Sequence, residues 1–142
     1  MKFAFFISVL IVVVFASCKK SNVVPTPAIT GYWQGITGFY FAPNIAVVYR
    51  DNGTARLYVT VNPLPLDTNA AGVTKSEGQY QIKGDTINSV FPFAINFAFG
   101  LQFSGTVNAQ KNSMGGSVQN YSNSEYASGV GFFGGFTLNK NE

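Results

Sequence analysis

The residues able to do chemistry in this 142-residue chain are few, and their scarcity constrains what it can be. There is one cysteine, Cys18, and no histidine. Zinc and copper sites draw on Cys and His, and general-base catalysis near neutral pH draws most often on His. Neither chemistry has its residues here once Cys18 is set aside. The carboxylates Asp51, Asp67, Glu77, Asp85, Glu125 and Glu142 are scattered singly. They form no Asp-x-Asp-x-Asp-Gly calcium loop and no pair suited to acid and base work. Asp51 and Asp85 fall in turn sequences, where local hydrogen bonding favours Asp. The expectation is a non-enzyme with no catalytic residue, no metal site and no cofactor.

What remains is apolar and aromatic chemistry. Phe91, Phe93, Ile95, Phe97, Phe99, Leu101 and Phe103 occupy every second position, alternating with Pro92, Ala94, Asn96, Ala98, Gly100, Gln102 and Ser104. A period of two puts one set on one face of a strand. Joined by Phe39, Tyr80, Phe132 and Phe136, the phenylalanines of this stripe are the candidate interior, ligand-binding residues. Two outcomes stay open: the rings leave an apolar pocket suited to a hydrophobic small molecule, or they fill the interior and move function to the loops. Tyr40, Tyr58, Tyr121 and Tyr126 are candidates for outward-facing or loop aromatics, suited to protein and sugar contacts.

The elements that must hold these residues are strands. From Thr30 onward apolar positions alternate, glycine recurs every dozen residues or so, and no amphipathic helix is visible. A first strand runs from Gly31 to about Tyr40 and a second from Ile45 to Arg50. Asp51-Asn52-Gly53 is a hairpin signal, and a third strand follows from Thr54 to Val61. Asn62 to Lys75, with Pro63 and Pro65, is the longest loop. A fourth strand spans Glu77 to Lys83 with Tyr80 and Ile82 on one side, and a fifth begins at Thr86. The aromatic stripe exceeds the usual strand of about 5 or 6 residues, so it spans two elements joined near Asn96. The sixth strand reaches about Ala109, the seventh carries Met114, Gly116 and Val118, and Asn120 to Ser128 is a polar loop. The eighth runs from Gly129 to Asn139 with Phe132, Gly134, Phe136 and Leu138 in register.

Eight short antiparallel strands leave no exposed edge if the sheet closes on itself. The fold expected is all-β: an eight-stranded antiparallel up-and-down barrel, with a two-sheet β-sandwich as the alternative. Gly31, Gly35, Gly131 and Gly135 permit the coiling that a small barrel needs.

The N-terminus is a different kind of sequence. Met1-Lys2 precedes an apolar run from Phe3 to Phe15, too short for the ~20 residues of a membrane span. Ala16-Ser17 then lead to Cys18, which gives the layout of a secretory signal peptide. The stretch resembles a bacterial lipoprotein signal, although Phe15 stands where that pattern usually has Leu. The resemblance implies removal of residues 1–17, lipid attachment at Cys18, and a membrane as partner through that lipid. Residues 18–29 read as a tether, since Pro25 and Pro27 favour an extended chain of ~3.1 Å per residue. Lys19 and Lys20 serve solubility or attraction to anionic head groups. Residues 30–142 form the domain, with six basic residues (Arg50, Arg56, Lys75, Lys83, Lys111, Lys140) against the six carboxylates. A neutral domain lacks the basic face that nucleic acid requires.

Gly31-Tyr32-Trp33 at the start of the first strand is similar to the Gly-x-Trp opening of lipocalin-like barrels. Asp51-Asn52-Gly53-Thr54, Gly78-Gln79-Tyr80-Gln81-Ile82, Ser104-Gly105-Thr106-Val107 and Gly135-Phe136-Thr137-Leu138 resemble the layout of small lipocalin-like lipoproteins of Gram-negative bacteria. That resemblance implies a plug role for Trp33 at the closed end of the barrel. It also implies a non-catalytic lipoprotein of the cell envelope, on the periplasmic face of the outer membrane, binding a hydrophobic small molecule in the barrel. The alternative is a protein-interaction module of the envelope, an assembly subunit or an inhibitor of a cell-wall enzyme.

Overall fold

A computed structural model describes residues 29–38, 43–92, 100–121 and 132–141. Among them are eight strands and no helix: β1 (Gly31–Thr37), β2 (Asn44–Tyr49), β3 (Thr54–Thr60), β4 (Thr74–Lys83), β5 (Thr86–Phe91), β6 (Gly100–Val107), β7 (Ser113–Tyr121) and β8 (Phe132–Asn141). Each pairs antiparallel with its sequence neighbour, and β8 returns to β1, from Tyr32↔Asn141 to Thr37↔Phe136. The sheet is a closed up-and-down barrel, which excludes the sandwich alternative.

Alternation builds the interior. Trp33, Ile45, Val47, Tyr49, Ala55, Leu57, Val59, Ile87 and Leu138 point inward and are buried, while Arg56, Glu77, Gln79, Gln81 and Asn88 point outward. A barrel apolar inside and polar outside is the inverse of a membrane-spanning one, whose outer band is apolar. The aromatic stripe divides as its length requires, with β5 ending at Phe91 and β6 beginning at Gly100. Phe91, Leu101 and Phe103 are all buried, so inward parity holds on both sides of the connection.

The two ends of the barrel differ. At one end lie the short turns 50–53, 84–85 and 108–112, bonded to neighbouring elements. Val107 N donates to Asp85 O and Lys140 N to Asn112 O, both at 2.8 Å, and the buried Lys111 Nζ donates to Asp85 Oδ1 at 2.6 Å. We call this the turn end; the chain enters it at Ile29, which is buried in the core rather than part of a free tether. The opposite, loop end receives the longer connections.

Several boundaries differ from the sequence reading. β1 stops at Thr37, β4 starts at Thr74 because Thr74 to Gln79 extend the ladder with β3, β7 continues through Tyr121, and β8 reaches Asn141 along β1. The long loop after β3 folds over the outer wall. Leu66 packs on Ala46 and Tyr58, and Asn44 Nδ2 donates to Asn62 O at 2.8 Å. Tyr58 is therefore outward-facing yet buried, not a free surface aromatic.

Candidate functional site

The interior was the first candidate. Phe91, Phe103 and Phe136 stack edge to face, with ring centroids 5.6 Å and 5.3 Å apart in turn. Below them Tyr49 meets Trp33 at 6.4 Å and Tyr80 at 4.9 Å, again edge to face. Side chains that line a ligand-sized cavity keep accessible surface, but Trp33 and Phe91 are 0% exposed, Phe103 2% and Phe136 5%. Aromatic pairs at such spacings contribute about 0.5–1.5 kcal/mol beyond their buried area. The described part of the interior is a packed core.

Of the other predicted residues, Cys18, Phe39, Phe93, Phe97 and Phe99 lie outside the described residues, as do Tyr40, Tyr126 and Gly131. Phe132 belongs to β8, but the register shifts beside it: Val118 pairs with Gly134 and Gln119 with Phe132. The extra residue in β8 breaks the strict alternation expected from Phe132 to Leu138. Its side chain is outside the described set.

Two buried polar features stand out among the described residues. The Tyr49 hydroxyl shares a 3.2 Å hydrogen bond with Ser89 Oγ and donates to Met114 Sδ at 3.9 Å. Desolvation pushes the Tyr49 phenol well above its ordinary value, so it stays neutral. Nearer the loop end, on a half-buried side chain, Asn120 Oδ1 is buried and has no hydrogen-bond partner among the described residues. It has the parity of Val118 on β7, two residues on. An unpartnered buried carbonyl is uncommon and calls for an explanation.

The second candidate lies outside the barrel, and the sequence reading did not anticipate it. A groove of about 880 Å³ runs where β4 leaves β3 and takes up β5, lined by Arg50, Asn52, Glu77, Gln79, Tyr80, Gln81, Asn88, Val90 and Pro92 among others. Gly78 stands next to this change of ladder: a Cβ there would stand 2.2 Å from Val90 O and 2.4 Å from Phe91 Cδ1. The absence of a side chain lets the Phe91 ring pass beneath the strand. Tyr80, expected in the interior, is half-buried at the same corner. Its ring touches the core and its hydroxyl donates to Arg50 O at 2.8 Å.

The charges of the groove are internally committed. Arg50 Nη1 donates to Glu77 Oε2 at 2.9 Å, and Arg56 Nε donates to Glu77 Oε1. Hydrogen bonding to Arg50 leads in holding the Glu77 carboxyl below the usual range. A carboxylate ionised and capped on both oxygens is a poor proton shuttle. Among the described residues no cluster of three or more His, Cys, Asp or Glu is placed to hold a metal. The side chains left over in the groove are mostly amides, which donate and accept hydrogen bonds.

The signal for the groove was present in Gln79, Gln81 and Asn88. An alternating polar phase reads from sequence only as the solvent side of a strand. No protein-family model, curated protein or solved structure matches this chain.

Proposed function

We propose that this chain is a lipid-anchored, non-catalytic lipocalin-like lipoprotein of the cell envelope, held through Cys18 on the periplasmic face of the outer membrane. It works as a binding module through the outside of its barrel. The single observation that carries the binding half is the filled interior, in which Phe91, Phe103 and Phe136 pack with almost no accessible surface. The anchored half rests on the run Phe3 to Phe15 followed by Ala16-Ser17-Cys18. Chain entry at the turn end supports it geometrically, because a tether leaving there presents the loop end and outer wall away from the membrane.

Metabolic labelling of the full chain with a radioactive fatty acid tests the anchor. Label should enter the wild type and not Cys18→Ser, and membrane fractionation should follow the label. Label in both chains, or in neither, contradicts the reading.

One observation favours a second reading, a small hydrophobic ligand at the loop end. Asn120 Oδ1, without a partner among the described residues, would accept a hydrogen bond from the hydroxyl or amide of such a ligand. Titration with hydroxylated fatty acids, followed by the Asn120 side-chain amide resonance, decides it. A signal that never saturates removes this reading.

A further inference from the structure

An exposed sheet face ordinarily carries Lys and Glu, with about 25–35% of surface positions charged. Two cross-strand rows on the outer wall beside the groove do not. Cross-strand register sets Gln81 beside Asn88 and Asn88 beside Ser104, forming one row across β4, β5 and β6. The next outward row is Gln79, Val90 and Gln102. Neither row contains a charge. Strand geometry spaces neighbours within a row by about 4.8 Å and the two rows by about 6.7 Å. The result is a grid of amides fixed on rigid strands.

The bonding capacity of this grid is unspent. Gln79 and Gln81 are exposed and make no side-chain hydrogen bond among the described residues. Asn88 Oδ1 accepts from Ser104 Oγ at 2.8 Å, and its NH₂ makes no hydrogen bond among the described residues. Amides both donate and accept, as hydroxyls do. The charged lining pair, Arg50 and Glu77, cancels, so the groove offers no net attraction to phosphate. Its apolar lining is Val90, Pro92 and the half-buried Tyr80 ring, too little for a lipid chain. Protein interfaces rely on aromatic, Met and Arg anchors; the two amide rows hold none, and the Arg50 and Tyr80 that line the groove are bonded to Glu77 and to the Arg50 carbonyl. A volume of about 880 Å³ falls within the size range of ligand sites.

We propose that the groove and amide rows of β4, β5 and β6 bind a neutral, hydroxyl-rich oligosaccharide, with Gln79, Gln81 and Asn88 as the primary contacts. This names the ligand class of the binding module argued above. It depends on the outer surface being the working surface and not on lipidation.

The test is titration of the ¹⁵N-labelled full chain, in a detergent without sugar head groups, with chitotetraose and cellotetraose. One or both should produce saturable shifts in the side-chain NH₂ signals of Gln79, Gln81, Asn88 and Gln102. Gln81→Ala and Asn88→Ala should each weaken binding by about tenfold while leaving distant backbone signals in place. Three results would overturn the proposal: no saturable shift at millimolar sugar, shifts confined to the loop end, or equal shifts with inorganic phosphate. Fatty-acid labelling at Cys18 is unaffected by any of these, so failure of the ligand class and failure of the anchored reading are separable.

Discussion

The indole Nε1 of Trp33 donates a 2.6 Å hydrogen bond to the carbonyl oxygen of Ile29, tying the entering chain to the floor of the barrel. Trp33 is fully buried on β1, and the Lys140 ammonium lies 6.0 Å from its ring centroid. The ring thus sits at the turn end, packed edge to face on Tyr49 and bonded to Ile29, the first described residue.

Replacing Trp33 with Phe should therefore act twice, by removing ring volume from a packed core and by leaving the Ile29 carbonyl unpaired. Together these should cost about 2–4 kcal/mol, read as a lower urea midpoint with an unchanged slope. Amide exchange at residues 29–31 should accelerate more than exchange in β5 and β6. Uniform acceleration would show that Trp33 is core volume only.

The buried Tyr49 hydroxyl makes stability fall at high pH. Its folded pKa lies above the ordinary value of 10.0 because burial disfavours the phenolate. The unfolded chain thus loses this proton first, and the stabilisation present below that value declines as the pH rises through it. Phenolate absorbance should show the Tyr49 ionisation only together with loss of the near-ultraviolet circular dichroism signal. Tyr49→Phe should cost about 1–3 kcal/mol, since Ser89 Oγ is then buried without a partner. Adding Ser89→Ala should recover part of that loss.

Reading the sequence succeeded where a local period decides the structure. Asp51-Asn52-Gly53 is a turn because no other local structure suits it, and Phe91, Leu101 and Phe103 face inward because parity persists across their connection. It failed where a partner decides. The residue that breaks alternation at Phe132 can be seen only in the register against β7. Tyr58 is covered by a loop whose direction no periodicity encodes. The groove was illegible because it lies where β4 passes from the β3 ladder to the β5 ladder at Gln79, a pairing that no local period encodes.

The Glu77 carboxyl should titrate below an isolated glutamate, whose pKa is 4.5, because Arg50 and Arg56 hold both its oxygens. A depressed folded pKa gives a stabilising contribution present above the ordinary carboxylate value and lost as the pH falls through the folded value. That contribution is small for so exposed a group. The direct measurement is the carboxyl carbon resonance, whose midpoint should return toward the ordinary value in an Arg50→Gln, Arg56→Gln double variant. An unchanged midpoint would mean the arginines do not hold Glu77 in solution.

Two glycines of the closing region should respond oppositely to one added methyl group. A Cβ on Gly35 would stand 1.9 Å from Thr137 O and 3.0 Å from the Leu138 Cα, all backbone of the strand that seals the barrel. Backbone cannot yield there without opening the β1–β8 ladder, so Gly35→Ala should cost more than about 2 kcal/mol or prevent folding. A Cβ on Gly135 meets only Gly116 O at 3.4 Å, an ordinary contact. Alanine there removes backbone freedom from the unfolded chain without strain, so Gly135→Ala should be neutral or stabilising by about 0.5 kcal/mol. Thermal unfolding of the two variants side by side separates a glycine that closure requires from one that strand geometry merely tolerates. Equal losses in both would mean that the seam between β1 and β8 is no tighter than the rest of the wall.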